Sequence, residues 1–190
     1  YAPLEKAWVP VTGDNYFYIY CLWVSGSYKG KGYGKELLQS CIDDAKAQGK
    51  SGICLLSSKK KKPFLSEKKF MLKYGFKVVD TINDEYELLA LSFDGTQPQF
   101  TSNVRKQSIE GKELTIYYGV QCPYIPNCIE QIYNYCENNQ IPLRLVEIDT
   151  LEKAKQLPCI FNNWAVFYNG KFETVHLLNE GLLKKLLQLK

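Results

Sequence analysis

The stretch SGSYKGKGYGKELL (residues 25–38) sets Gly30, Gly32 and Gly34 at alternate positions among Lys29, Lys31 and Lys35. Bare backbone at that density serves either positive φ angles or the close approach of something to the main chain. On the N-terminal side runs YFYIYCLWV (residues 16–24), apolar on both faces, which predicts a strand in the middle of a sheet. On the C-terminal side Leu37, Leu38, Cys41, Ile42 and Ala45 recur at helical spacing until Gly49, a C-cap signal. The quoted stretch is therefore a turn from strand to helix. Amides at such a helix start favour an anion by about 0.3–1 kcal/mol. Gly32 and Gly34 would let a diphosphate reach the backbone with no Cβ in the way, and Lys29, Lys31 and Lys35 add charge. The bland reading is an exposed turn rich in glycine and lysine.

Two well-known phosphate loops do not fit. A P-loop needs Gly, four residues, then Gly-Lys-Ser/Thr, but Gly34-Lys35 is followed by Glu36 and Lys29 stands where the first glycine belongs. The dinucleotide fingerprint needs a third glycine at its sixth position, which is Lys35 counted from Gly30 and Leu37 counted from Gly32.

Working outward, WVPV (residues 8–11) and the turn at Gly13, Asp14 and Asn15 predict a hairpin with the strand at 16–24. After the helix come a short buried strand, GICLLSS (residues 52–58), a lysine run at 59–62, a helix over 63–74 closed by Gly75, and a hairpin turning at Asn83 and Asp84. A polar stretch rich in Gly, Pro, Gln and Ser follows and reads as a linker over 96–112, dividing a domain over 1–95 from one over 113–190. The second domain reads βαβαββα: strand LTIYYG, a helix with Ile125, Ile129, Ile132 and Cys136 on one face, strand LRLVEI, a short helix, strand WAVFY, an Asn169-Gly170 hairpin turn, strand KFETV, and a last helix carrying Leu182, Leu183, Leu186 and Leu187. Thioredoxin-like domains share this order.

Composition narrows the classes. At 190 residues, 45% hydrophobic and 23% charged, the chain can bury a core, and its formal charge of +4 suits a phosphate-bearing ligand better than a nucleic acid. No signal peptide or membrane-length apolar run is visible, so a cytoplasmic chain is expected, with neither nucleic acid nor membrane as partner. Seven cysteines without a repeated spacing read as reduced thiols. Met71 is the only methionine, so Tyr1 is not expected to be the translation start.

LWVSGSYKGKGYGKELL resembles the acetyl-CoA loop of the GCN5-related N-acetyltransferases (GNAT), with Lys29, Gly32 and Gly34 at the loop's three marker positions and Lys29 in place of the usual Arg or Gln. The second half, with LTIYYGVQCPYIPNC and AVFYNGKF, is similar to the YoaP-like domain that some of these enzymes carry. The resemblance implies a partial GNAT fold, a mixed sheet with flanking helices, followed by a small thioredoxin-like α/β domain. It implies that strands and helices that precede this chain's first hairpin in the family are absent here. It also implies acetyl-CoA as cofactor, bound by Leu22, Trp23 and Val24 along the strand end and by Lys29, Gly30, Lys31, Gly32, Tyr33, Gly34 and Lys35 at the loop. The reaction implied is direct attack by a small-molecule or peptide amine, the acceptor itself being unreadable. Many relatives place an acidic tyrosine where this chain has Met71; Tyr74, one turn on, is the remaining candidate.

A rival reading rests on Cys122, which precedes Pro123 at a predicted helix start, where thioredoxin-like proteins keep an attacking thiol. Cys128 lies six residues on rather than three, and Asn162-Asn163 stand where that family has a cis-proline. In this reading the chain is a thiol-based redox or binding module with the GNAT half as scaffold. The lysines at 59–62 are either a gate for an anion or a solvated loop, and the lone His176 has no second histidine with which to hold a metal.

Overall fold

In the computed structural model, residues 1–188 are described, and they form two units: Tyr1–Ala7 with Val11–Thr101, and Trp8–Pro10 with the chain from Ser102. The first unit holds β1 (Ala2–Pro3), β2 (Val11–Thr12), β3 (Tyr16–Tyr18), α1 (Tyr33–Ala47), β4 (Gly52–Ser58), α2 (Lys68–Leu72), β5 (Lys77–Ile82), β6 (Tyr86–Ser92) and β7 (Gln99–Phe100). Its main sheet runs β1-β3-β4-β6-β5, with β3 and β4 parallel and the other neighbours antiparallel. The parallel pair demands a crossover, which α1 supplies.

That helix begins and ends on backbone geometry. Gly32, its N-cap, has φ 90°, and Gly49 beyond its other end has φ 61°. Lys50 N–H donates to the Ala45 carbonyl at 2.9 Å and Gly49 N–H to the Lys46 carbonyl at 3.0 Å, the paired bonds of a Schellman motif. Leu38, Cys41, Ile42 and Ala45 lie on the buried face, against Phe17, Ile53, Leu55 and Leu89 of the sheet. Every residue of β4 is buried, as its apolar run requires of a central strand.

The hairpin expected from WVPV does not form. Trp8–Pro10 lie in no strand, Val11–Thr12 pair with Gln99–Phe100, and the antiparallel neighbour of β3 is Ala2–Pro3. The strand expected over 16–24 stops at Tyr18. The helix expected over 63–74 is only Lys68–Leu72, because residues 59–67 are taken up by a loop in which the Ser57 hydroxyl donates to the Ser66 carbonyl at 2.7 Å. Where a linker was expected over 96–112, β7 and a short 3₁₀ turn (Ser102–Lys106) occur.

The second unit has β8 (Leu114–Tyr118), α3 (Ile125–Asn138), β9 (Leu143–Glu147), α4 (Leu151–Lys155), β10 (Trp164–Tyr168), β11 (Lys171–Thr174) and α5 (Glu180–Leu186). Its sheet runs β11-β10-β8-β9, with β8 and β9 parallel and β10 antiparallel to both its neighbours, and its elements follow the βαβαββα order expected from the sequence. Side chains of α3 and α5, among them Ile125, Ile132 and Leu183, bury one face of the sheet together with Trp164 and Val166. Phe161, Ala165 and Phe167 belong to a second cluster with Leu157 and Ile148.

Candidate functional site

The loop between β3 and α1 owes its shape to glycine. Gly26, Gly30 and Gly32 all have positive φ, at 53°, 77° and 90°, a region that side chains with a Cβ enter at a cost. Nothing lies within 4 Å of where a Cβ would stand at any of the three, so the requirement there is conformational. Gly34 differs: its φ is not positive, and a Cβ there would meet Phe70 Cζ at 3.7 Å and Leu22 Cδ2 at 3.9 Å. It sits in the first turn of α1, where N–H groups have no carbonyl of their own helix to bond.

Two hollows adjoin at this loop and share Val24, Lys29, Gly30, Gly34 and Phe70. One, of about 420 Å³, is walled by Leu22 on the strand side and by Ser66, Glu67 and Met71 on the α2 side. The other, of about 380 Å³, is walled by Gly32, Tyr33, Lys35 and Tyr74. Together they make one cleft between the strand-to-helix turn and α2. Its strand side exists because β3 and β4 part company: Ile19 N–H still donates to the Cys54 carbonyl at 2.9 Å, but residues 20–24 belong to no strand while β4 continues to Ser58.

Most of the expected site residues meet here. Leu22, Val24, Lys29, Gly30, Gly32, Tyr33, Gly34 and Lys35 line the cleft. Trp23 does not; it is 60% exposed and lines a neighbouring groove. Lys31 also stays outside, with its ammonium 5.7 Å from the centre of the Tyr28 ring. Met71 is buried, and Tyr74 packs its ring 5.0 Å from that of Phe70 at the loop end of the cleft. The expectation missed Phe70, Ser66 and Glu67. Phe70 and Tyr74 at i,i+4 could have been found as an aromatic pair on one helical face.

Of the four lysines at 59–62, Lys61 pairs with Glu67 at 3.0 Å and Lys62 with Glu85, which reduces the charge available for an anion gate. His176 N–H donates to Thr174 Oγ1, and among the described residues no group of three or more His, Cys, Asp or Glu could hold a metal ion.

In the second unit Cys122 is half-buried just before α3. Cys128 is buried inside that helix, its thiol donates to the Leu178 carbonyl at 3.1 Å, and burial pushes its pKa up to about 11. A thiol so held is a poor nucleophile and a poor redox partner. Asn163, in the position expected for a cis-proline, has φ 72° and accepts a hydrogen bond from Gly119 N–H at 2.9 Å. None of the seven cysteines forms a disulfide, and five of them, Cys41, Cys54, Cys128, Cys136 and Cys159, are buried. Iodoacetamide at pH 8 will therefore label Cys21 and Cys122 in the native chain and the other five only in denaturant. Mass spectrometry showing a third native adduct would contradict this burial.

A family model described as acetyltransferase (GNAT) family matches residues 2–76, and one described as YoaP-like matches residues 142–185. The "Uncharacterized N-acetyltransferase YoaP" of Bacillus subtilis (strain 168) is 39% identical over 189 residues, covering 98% of this chain and 75% of the relative. The chain belongs to the GNAT acetyltransferase family. It is a GNAT-family N-acyltransferase with a YoaP-like C-terminal region, and its first unit has the mixed sheet and flanking helices of that family. No solved structure matches it. Among the described residues no helix is long and apolar enough to cross a membrane.

Proposed function

We propose that the chain moves an acetyl group from acetyl-CoA to a primary amine by direct attack, using the cleft between the glycine loop and α2. The observation that supports this reading is the convergence of Lys29, Lys35 and the bare backbone of Gly30, Gly32 and Gly34 at the start of α1, continuous with a hollow of mixed lining walled by Leu22, Val24, Ser66, Glu67 and Met71. The diphosphate of the donor is assigned to the first and the pantetheine arm to the second, along the strand end that β4 has left. Leu22 and Val24 lie outside any strand, and this reading pairs their backbone groups with the arm's amides.

Proton traffic is assigned in part. An amine of pKa about 10.4 is neutral in only roughly one part in 2,500 at pH 7, so the attack needs a proton acceptor. Met71 carries no proton for the leaving thiolate. Tyr74 lines the hollow that holds Lys29, Gly32 and Lys35, so this reading gives its phenol to the diphosphate end rather than to the thiolate. A small-molecule or peptide amine is the acceptor class in this reading.

Titration calorimetry of acetyl-CoA into the 190-residue chain is the test. Binding at one site, followed by CoA release when a panel of primary amines is added, is the expected result. A flat titration at millimolar acetyl-CoA would overturn the reading.

A further inference from the structure

The loop between β4 and α2 brings a lysine to the edge of the cleft. Two serines at the end of β4 pin this loop: the Ser58 hydroxyl donates to the Lys60 carbonyl and the Ser57 hydroxyl to the Ser66 carbonyl, each at 2.7 Å. Between those anchors the Lys61 ammonium donates to Glu67 Oε2 at 3.0 Å. Among the described residues that line the cleft, Glu67 alone carries a carboxylate, and it stands in the hollow that also holds Leu22 and Met71.

Neighbouring lysines are placed otherwise. Lys62 turns to Glu85, with its ammonium 5.1 Å from the centre of the Tyr86 ring, and Lys68 is bonded to the buried carboxylate of Glu87 on β6. Those two lysine side chains are 27% and 26% exposed, against 75% for Lys61. An ion pair in water holds its partners weakly, so the Lys61 ammonium leaves Glu67 and returns at little cost.

We propose that Lys61 is a self-acetylation site, taking its acetyl group from a donor thioester in this cleft while Glu67 holds its ammonium at the cleft wall. The proposal rests on the donor reading above. In the step, the Lys61 ammonium gives one proton to Glu67, which passes it to water. The neutral amine attacks the thioester carbonyl carbon, the C–N bond forms and the C–S bond breaks, and the proton that the nitrogen then sheds goes to the departing CoA thiolate. The amide formed carries no charge, so the pair with Glu67 is lost and that carboxylate is open to an amine from solution. Lys29 also lines the cleft, but on the loop side, where the donor reading sets the diphosphate.

Incubation of the 190-residue chain with acetyl-CoA, followed by proteolysis and mass spectrometry, reads each lysine separately. Lys61 should be acetylated about tenfold faster than Lys60 beside it, as befits an amine held next to its target. The rate per chain should not change when the protein is diluted at fixed acetyl-CoA, and unfolding in urea should abolish the preference. Glu67→Gln should lower the ratio of Lys61 to Lys60 acetylation about tenfold, and any weakening of donor binding cancels in that ratio. Equal rates at Lys60 and Lys61, a preference that survives urea, a rate that falls on dilution, a ratio unmoved by Glu67→Gln, or a leading adduct at Lys29 would each overturn the site. Calorimetry on the same preparation keeps the two readings apart. Acetyl-CoA that binds without acetylating Lys61 overturns this inference alone, and acetyl-CoA that does not bind overturns the donor reading with it.

Discussion

Gly34→Val weakens acetyl-CoA binding by roughly a hundredfold, about 2.7 kcal/mol, while the chain stays folded. The separation of the two effects follows from the surroundings of Gly34. Its backbone is not left-handed, and a Cβ would stand 3.7 Å from Phe70 and 3.9 Å from Leu22, ordinary contact distances. Branched methyl groups there project into the space shared by both hollows, between the loop and α2. A ligand whose diphosphate lies on the first turn of α1 would have to give up that approach. Gly34→Ala, with one methyl, should fall between the wild type and the valine variant. Calorimetry paired with a thermal scan decides the matter: an unshifted Kd in a folded Gly34→Val protein would remove the loop from the binding site.

The largest structural effect belongs to Gly52→Ala, which should destabilise the first unit by about 3 kcal/mol or more, enough to lower its melting temperature by roughly 10 °C. Gly52 opens β4 and pairs with Tyr16 on one side and Ser92 on the other. A Cβ there would stand 2.3 Å from the Leu91 carbonyl oxygen and 2.5 Å from Tyr16 Cε1. Neither neighbour can withdraw. The carbonyl is part of β6, and the Tyr16 ring is anchored by its hydroxyl, which donates to the Thr96 carbonyl at 2.6 Å. Trimming the ring in a Tyr16→Leu background should not rescue the variant, because the Leu91 carbonyl remains. A calorimetric scan that finds Gly52→Ala as stable as wild type would show that the sheet can relax around it.

Elements whose partners are close in sequence, or whose period is long, were legible from the chain alone. The buried face of α1 (apart from the exposed Leu37), the Gly49 stop and the apolar run of β4 stand where the spacing put them, and so do β8, β10 and the Asn169 turn. What escaped was pairing over distance. Val11–Thr12 bond to Gln99–Phe100, some ninety residues on, and a local alternation of apolar residues carries no record of that partner. The shortness of α2 escaped for a related reason: the Ser66 carbonyl accepts from Ser57, on a strand that precedes it.

The glycine loop could be read as a site because several unlike signals coincide in ten residues. The α2 wall was harder to read, because Ser66 and Glu67 form no motif with the loop and matter there by position, and only the Phe70–Tyr74 spacing marks that face. Trp23 shows the limit from the other direction. Its neighbours Leu22 and Val24 line the cleft, whereas Trp23 lines only the groove beside it, which Val24 also borders.

The complete burial of β4 bears on how the sheet avoids mispairing. A strand with one wet face is held in register because a slip by one residue would put its apolar set into water. That safeguard is missing where both faces are dry, as in Ile53, Cys54, Leu55 and Leu56. The markers lie instead at the two ends of the strand. Sliding β4 by one position would bring Ile53 to the place where the Leu91 carbonyl and the Tyr16 ring leave room for a hydrogen only. At the far end it would carry the Ser57 hydroxyl away from the Ser66 carbonyl and the Ser58 hydroxyl away from the Lys60 carbonyl. One glycine and two serines thus set the alignment of a strand whose middle is indifferent to it, and with it the position of the cleft wall that Ser66 begins.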